Sequence, residues 1–426
     1  MSVFFWLLLK RYTNFLKSLL KFDKVWGYAV GKFQTAKQVS TAFKFPKDIF
    51  FEEGKLIMKK TLAAVAILGA FAGSALAADV TLYGRVNLGL NYTHVDQDGA
   101  ADVDEWGLKS GDATGSRFGI KGEEQISEGL TVGFQLEHGF NADDGADADA
   151  SKAFSRESRL YVKTEYGTLH MGRFGALDSA TGSVDVTAGF TASGTGYGEI
   201  INDYGRVMKN YSRLDNSIAY TSPEFAGVKF HAMASLGQSD YMKDLTKVDY
   251  KGEESSHEVD RYYGLGVTGQ WGALGAGLVV SQMDLGKLQG KVVDGSYYED
   301  ADDAVNVTAS VNYDFGVTKV FLAAGYYDQG ETSAEMDYSQ WGVSLSASTP
   351  IASGTLETAI GYGVGKNDLA AANTDDEVKV WNVGAYYKYP LSKRTYVYAG
   401  VGYDSEDEYG TKTKTTEVIT GMAHYF

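Results

Sequence analysis

The sequence predicts an all-β fold: a 16-stranded antiparallel transmembrane β-barrel with an inward-folded third external loop. Three observations carry that prediction. Apolar and polar residues alternate with period two in one segment after another. The gaps between those segments are alternately long and short. One gap, Gly175–Leu214, runs for 40 residues, holds seven glycines and has no periodicity. A structureless connection of that length inside a compact domain marks a functional loop, and we read it as entering the barrel and narrowing its lumen.

Taken in order, Val80–Val95 sets the pattern. Leu82, Val86, Leu88 and Leu90 share one parity while Tyr83, Arg85 and Asn87 share the other, so the strand has one apolar and one polar face. Leu130–Phe140 repeats it, with Leu130, Val132, Phe134 and Leu136 against Thr131, Gln135 and Glu137. Val305–Tyr313 sets Val305, Val307, Ala309 and Val311 against Asn306, Thr308, Ser310 and Asn312. Trp381, Val383, Ala385 and Tyr387 give a further apolar face. Strands are expected at 80–95, 116–126, 130–140, 154–164, 167–174, 216–222, 228–237, 261–271, 274–285, 304–315, 318–329, 338–349, 354–366, 378–389, 395–404 and 415–426. Val320–Tyr327 alternates poorly, as a strand facing a neighbouring subunit would.

The short gaps hold Pro223, Pro350 and Pro390, where no ladder hydrogen bond is lost. The long gaps hold the acidic runs Asp96–Glu105, Asp143–Asp149, Glu299–Asp303, Asp375–Glu377 and Asp404–Glu408, placed as loop tips. An even strand count with short turns at one end and longer loops at the other is the outer-membrane barrel pattern. Closure follows from the solvent, because an open sheet edge in hydrocarbon leaves backbone groups unpaired. Tyr297, Tyr298, Tyr326, Tyr327, Tyr386, Tyr387, Tyr396 and Tyr398 cluster at strand ends, as interfacial girdles do. Sixteen strands leave an aqueous lumen rather than a filled core.

The start of the chain is of another kind. Met58 is followed by Lys59 and Lys60, an apolar run Leu62–Phe71 and a small-residue end at Ala75-Leu76-Ala77, which together read as a signal peptide over 58–77. Residues 1–57 then read as a mis-annotated N-terminal extension and 78–426 as the barrel. Residues 1–77 carry 12 Lys/Arg and 4 Asp/Glu, leaving 27 basic and 51 acidic side chains, a net −24, in Ala78–Phe426. So acidic a chain is unsuited to nucleic acid, which needs a basic footprint. The chain has no Cys, which excludes disulfides, Cys-ligated zinc and a Cys nucleophile.

Val80–Asn87 (Val-Thr-Leu-Tyr-Gly-Arg-Val-Asn), Gly115–Gly122 (Gly-Ser-Arg-Phe-Gly-Ile-Lys-Gly), Met171–Phe174, Ser222–Phe230 and Gly421–Phe426 form a set. Together they resemble the general diffusion porins of Gram-negative outer membranes, in particular the β-proteobacterial and neisserial branch. The resemblance covers essentially all of Ala78–Phe426. It implies a homotrimer in the cell outer membrane, each barrel narrowed by the loop after the fifth strand, with lipid, lipopolysaccharide and the barrel-assembly machinery as partners. It further implies that Phe426 is the assembly signal of the closing strand.

Porin function is passive diffusion of ions and small hydrophilic solutes, filtered by charge and by width. The resemblance places a basic ladder on the wall at Arg85, Arg117, Arg173 and Arg213, with Lys121 and Arg159 as weaker candidates. Arg85 and Arg117 already lie on the polar parity; Arg173 lies on that of Leu169 and Met171, so its inward aim requires a bulge near Gly172. Facing the ladder, the resemblance places acids on the loop, with candidates Asp185, Glu199 and Asp203, and Asp178 close to the strand. Gly194, Gly196 and Gly198 suit a chain bending back into the lumen. Acidic outer loops favour cations at the mouth and the arginines favour anions at the waist, so the sign of selectivity stays open at this level.

No enzyme is expected, and no cofactor or metal: the six histidines make no H-E-x-x-H and there is no G-x-S-x-G. Asp143–Asp149 lacks full calcium-loop spacing and reads as a solvated acidic loop. The alternatives are a substrate-specific channel, which would show an aromatic track along the lumen, and then a barrel enzyme or an adhesin.

Overall fold

The computed structural model describes residues 80–193, 207–237, 261–284, 303–330, 337–367 and 377–426, with backbone alone at 292–293 and 296–297. The segments 1–57 and 58–77 lie outside the described residues, as do Glu199, Asp203, Gly194, Gly196 and Gly198. The strands are β1 (Thr81–Gln97), β2 (Val103–Ser110), β3 (Arg117–Ser127), β4 (Leu130–Gly139), β5 (Glu157–Thr164) and β6 (Gly167–Gly175), then β7 (Arg213–Thr221), β8 (Val228–Ser235), β9 (Arg261–Trp271) and β10 (Leu274–Asp284). After a small ladder of β11 (Val292–Val293) and β12 (Ser296–Tyr297) come β13 (Ala304–Asp314), β14 (Lys319–Gln329), β15 (Tyr338–Ile351), β16 (Gly354–Asn367), β17 (Glu377–Pro390), β18 (Thr395–Glu408) and β19 (Thr411–Tyr425).

All strands except β11 and β12 belong to one antiparallel sheet, and β1 pairs with β19 from Arg85↔Tyr425 to Gln97↔Thr413, so the sheet closes. The 17-stranded sheet makes sixteen barrel staves, because β2 and β3 share one edge of β1. Thr81–Arg85 pairs with β3 and Leu88–Val95 with β2. Asn87, fully buried, stitches the break: its N–H donates to Ser116 Oγ at 3.0 Å and its Oδ1 accepts from the Ala113 N–H at 3.2 Å. Phe426 completes the closure, exchanging backbone hydrogen bonds of 3.1 Å with Gly84 in both directions.

The two parities are the two faces. Val280, Leu322, Trp341, Val343, Ile360 and Val401 are exposed on the outside, where lipid would cover them, while Ser281, Gln340, Ser344 and Asn382 on the alternate positions are buried. Among the described residues no helix is long and apolar enough to cross a membrane; the strands do the crossing.

Four expectations are corrected. β2 is an added strand, and β1 and β2 absorb part of the acidic run Asp96–Glu105, because cross-strand pairs such as Lys414 Nζ on Asp96 Oδ2 (2.7 Å) and His94 Nδ1 on Asp104 Oδ1 (3.0 Å) hold acids on a ladder. Similarly, Asp404–Glu408 belongs to β18, which meets β19 across a two-residue turn at Tyr409-Gly410 rather than a long loop. Pro350 and Pro390 fall inside strand ends, paired with Thr355 and Tyr396. The tyrosines divide: Tyr326 is exposed, but Tyr386 and Tyr398 are buried on the inner face with rings 5.5 Å apart. Neighbouring tyrosines on a strand face opposite ways, so a pair supplies one girdle residue at most.

The described parts of the connection after β6, residues 176–193 and 207–212, pack on the polar inner face. Phe174, Leu177, Val184, Val186, Phe190, Val207 and Met208 are buried there with Val279, Met283, Ala304, Ala323 and Val380. Here lies a reason for the weak alternation of Val320–Tyr327: Ala323 is apolar and inward because it meets this loop, and Gly325 beside it would meet Met208 Cγ at 2.9 Å if it carried a Cβ.

Candidate functional site

The wall formed by β3–β7 collects charge. Gly119 pairs with Glu137 and Arg117 with Gly139, so Arg117 and Glu137 are diagonal neighbours on one face, within reach of long side chains. Arg117 Nη1 donates to Glu137 Oε1 at 3.2 Å and Nη2 to Thr114 Oγ1 at 2.9 Å. Arg156, immediately before β5, donates Nε to the same Oε1 at 2.8 Å, and the Tyr83 hydroxyl donates to Oε2 at 3.0 Å. A carboxylate that buried is held by two guanidiniums because one pair alone would not repay its desolvation.

The cluster continues along the wall. Arg159 donates to Gln135 Oε1 at 2.7 Å and lies 3.3 Å from Glu157 Oε2. Glu157 Oε1 accepts the Ser183 N–H at 2.9 Å, and Arg213 Nη2 donates to Thr181 Oγ1 at 2.8 Å, so both reach into the loop. Arg213 also stands in the field of Arg156, Arg173, Glu157 and Glu137. The β6–β7 register slips between Gly172 and Phe174, the irregularity that Arg173 required. Arg173 nevertheless turns to the connection before β5: Nε donates to Ser155 O at 2.8 Å and Nη1 to Asp215 Oδ1 at 2.7 Å, with Lys152 Nζ 2.9 Å from Oδ2. Arg85 lies opposite Arg117 in register, its guanidinium 5.7 Å over the Tyr425 ring, and Lys121 lies 5.2 Å over Tyr83.

Within this group Arg117, Arg156, Arg159, Arg173, Arg213 and Lys152 face three carboxylates, Glu137, Glu157 and Asp215. Arg156 escaped sequence reasoning because the strand expected at 154–164 put it on the parity opposite Arg159, whereas β5 begins at Glu157 and Arg156 lies in the connection before it. Glu137 was readable as a polar-face residue, but nothing local marks it as the partner of two arginines.

The two described loop acids are held by hydrogen bonds, Asp185 within the loop and Asp178 from the barrel wall. Asp185 Oδ1 accepts the Thr187 N–H at 3.0 Å and Oδ2 the Ala188 N–H at 2.7 Å, capping the short 3₁₀ turn Thr187–Gly189. Burial pushes its carboxyl up to about 7 against those hydrogen bonds. Asp178 is fully buried and accepts from Tyr262 Oη (3.0 Å), Ser281 Oγ (2.5 Å) and Asn306 Nδ2 (2.8 Å), which ties the loop to β9, β10 and β13. Burial raises the Asp178 carboxyl too, opposed by these three donors.

Beyond Asp178 the loop rests on small residues. Ser310 Oγ donates to Phe190 O at 2.9 Å, the Ala192 N–H to Ser346 Oγ at 2.9 Å and Gln340 Nε2 to Val207 O at 3.3 Å. A Cβ at Gly277 would meet the Phe190 ring at 2.3 Å, and one at Gly342 would meet Val207 O at 1.6 Å. The loop thus contacts the charged wall through Thr181 and Ser183 and the β10–β16 wall through Phe190 and Val207.

Comparison with known proteins identifies what this geometry belongs to. A family model described as Gram-negative porin matches residues 62–409. The chain belongs to the Gram-negative porins. An outer membrane porin protein of Bordetella pertussis is 30% identical over 411 residues, covering 87% of this chain and 100% of the relative. Outer membrane porin protein 32 of Delftia acidovorans is 29% identical over 357 residues, covering 81% and 89%. Among solved structures, an anion-selective porin from Comamonas acidovorans superposes with a TM-score of 0.60 at 24% identity, covering 82% of this chain and 100% of that one. OmpT of Vibrio cholerae in its trimer form gives 0.53 at 15% identity, covering 82% and 100%. These last two show the shared fold.

This porin is therefore a channel of the outer membrane of a Gram-negative bacterium through which small solutes diffuse, and the family is one of channels rather than enzymes. Among the described residues no group of three or more His, Cys, Asp or Glu could hold a metal. In the run Asp143–Asp149, Asp144 Oδ1 accepts the Ala146 N–H at 2.8 Å and Asp149 Oδ1 the Ser151 N–H at 2.9 Å, so both carboxylates serve their own turns.

Proposed function

We propose that this porin is a diffusion channel whose waist lies between the Ala176–Ser212 loop and the charged wall, and whose waist prefers anions. One observation carries the reading: six cationic groups stand against three carboxylates on the β3–β7 wall, which the loop meets at Thr181 and Ser183. Of the loop acids, the described Asp178 and Asp185 are both raised above the ordinary carboxylate range by burial, which weakens their offset to that excess. Arg85, Arg117 and Arg213 are assigned to the basic side of the waist, with Arg173 as its outer brace. Charge at the narrowest point of a pore biases which ions pass.

The assembly follows the family. A homotrimer is proposed, supported by the trimer form of a structural neighbour. So is recognition of Phe426 by the barrel-assembly machinery, supported by the pairing of the closing strand with Gly84, and contact of the exposed apolar band with lipid and lipopolysaccharide. Residues 58–77 are read as the signal peptide and 78–426 as the mature barrel. The test is planar-bilayer recording of the refolded protein. Conductance in steps of three and a zero-current potential on the anion side of a salt gradient support the proposal; a protein that inserts without conducting contradicts it.

A further inference from the structure

The inner wall opposite the basic cluster has a feature that simple filtering does not use. Between β13–β15, β17 and β18 lies a cavity of 320 Å³, lined by Lys209, Asn306, Tyr327, Tyr338, Glu406 and Glu408 among others. A smaller cavity of 80 Å³, which also touches Lys209, Tyr338 and Glu406, continues it toward Gln340 and Gly365. All the strand residues named are on the inner parity, so the recess faces the lumen.

Its parts are fixed from several directions. Lys209 follows Val207 and Met208, which are seated on the wall, and its carbonyl accepts from Asn306 Nδ2 at 3.2 Å. Lys209 Nζ then lies 5.2 Å over the Tyr338 ring, the geometry of a cation–π contact. Tyr338 Oη is turned to Gln340 Oε1 at 3.0 Å and Tyr327 Oη to Gln329 Oε1 at 2.7 Å, which holds the two rings 6.4 Å apart. Glu406 and Glu408 are next-but-one neighbours on β18 and both act on Lys209 electrostatically. On the wall of the recess, Asn306 is 1% exposed and its Oδ1 has no hydrogen-bond partner, leaving a buried acceptor there.

We infer that this recess is a binding site for zwitterionic amino acids or short peptides, with Lys209 taking the carboxylate, Glu406 and Glu408 the ammonium, and the tyrosine rings the side chain. Charge selects the class. A lone anion reaching Lys209 meets two carboxylates, and a lone cation reaching the carboxylates meets Lys209. A solute carrying both charges pairs both. At ~30 Å³ per water the larger cavity has room for about ten waters, enough to seat one amino acid or a small dipeptide. The inference rests on the channel reading, because solute must arrive through the lumen.

The test is single-channel recording of the refolded porin with L-phenylalanine, phenethylamine and 3-phenylpropionate added in turn, which share a ring and differ in charge. L-Phenylalanine is expected to interrupt the current with dwell times at least about tenfold longer than either singly charged probe. Lys209→Met and the double variant Glu406→Gln/Glu408→Gln are each expected to abolish the long interruptions while the open-channel current persists. Equal dwell times for the three probes overturn the inference, as do interruptions that survive both variants. If a variant does not refold, the comparison of the three probes on the wild-type channel decides alone. Absence of any open-channel current would instead sink the channel reading on which the site depends.

Discussion

The two inner walls of this barrel are built on opposite rules. The β3–β7 wall is made of long charged side chains, with Arg117 and Arg156 on Glu137 and Arg159 on Glu157. The β10–β16 wall offers small residues where the loop rests, with Gly277 under Phe190 and Gly342 under Val207. The loop meets the first through polar atoms and the second through apolar side chains and backbone. One wall supplies charge and the other supplies a seat, and a filter needs both. Charge without a seated loop would leave a wide pore in which water screens the arginines.

The largest effect should come from destroying the seat. In Gly342→Val the new Cβ would lie 1.6 Å from Val207 O, a backbone atom that cannot yield without moving the loop. Single-channel conductance should rise by about twofold as the far end of the loop lifts, while the barrel still forms. Unchanged conductance would mean that the loop does not limit the pore.

Next comes the charged wall. Glu137→Gln leaves Arg117 and Arg156 without their shared carboxylate. Thermal stability should fall, by about 3 kcal/mol if the pair behaves as a buried one, and the zero-current potential should move further toward anions. A shift toward cations would show that Glu137 does not compensate the arginines facing the lumen.

A smaller effect is expected between the walls, at Asp178. Tyr262→Phe removes one of its three side-chain donors, at a cost of about 1 kcal/mol. Amide exchange around residues 177–180 should quicken about fivefold, the factor that energy implies, with the rest of the barrel unaffected.

The smallest effect is the dependence on pH. Asp185 is held up to about 7 by burial, so the folded loop keeps this proton where an unfolded chain would release it. The contribution of Asp185 to loop packing is therefore greatest in acid. It declines as pH rises from the ordinary carboxylate range to about 7, then levels off. Between about pH 6 and about pH 8 the loop gains negative charge, and the anion preference should weaken modestly. Asp185→Asn should flatten that dependence; a slope unchanged in the variant would assign it to another group.

Much of the fold was legible because a barrel writes its period into its strands. Sixteen staves fall where alternation and short turns placed them, and closure follows from the solvent. The misplaced parts share a cause. β2 and the upper part of β18 lie in acidic stretches, where pairing is settled by cross-strand contacts such as Lys414 with Asp96 rather than by apolar alternation. Tyr386 and Tyr398 stack inside the barrel, although a sequence shows only that tyrosines are near a strand end. On the wall, parity was enough to put Arg85 and Arg117 on one face, where they pair in register, whereas the contacts of the loop were much less legible. Asp178 meets Ser281 and Asn306 from across the barrel, and such long-range pairs have no local signature. Val207 gives no sign in sequence that Gly342 awaits it.

The most direct measurement of the central claim is the zero-current potential across a salt gradient for the wild-type porin and for Arg117→Ala/Arg213→Ala. The account predicts a wild-type potential on the anion side and a variant potential moved toward zero or beyond, with the channel still conducting. A wild-type channel that prefers cations, or a double variant with an unaltered potential, would contradict it.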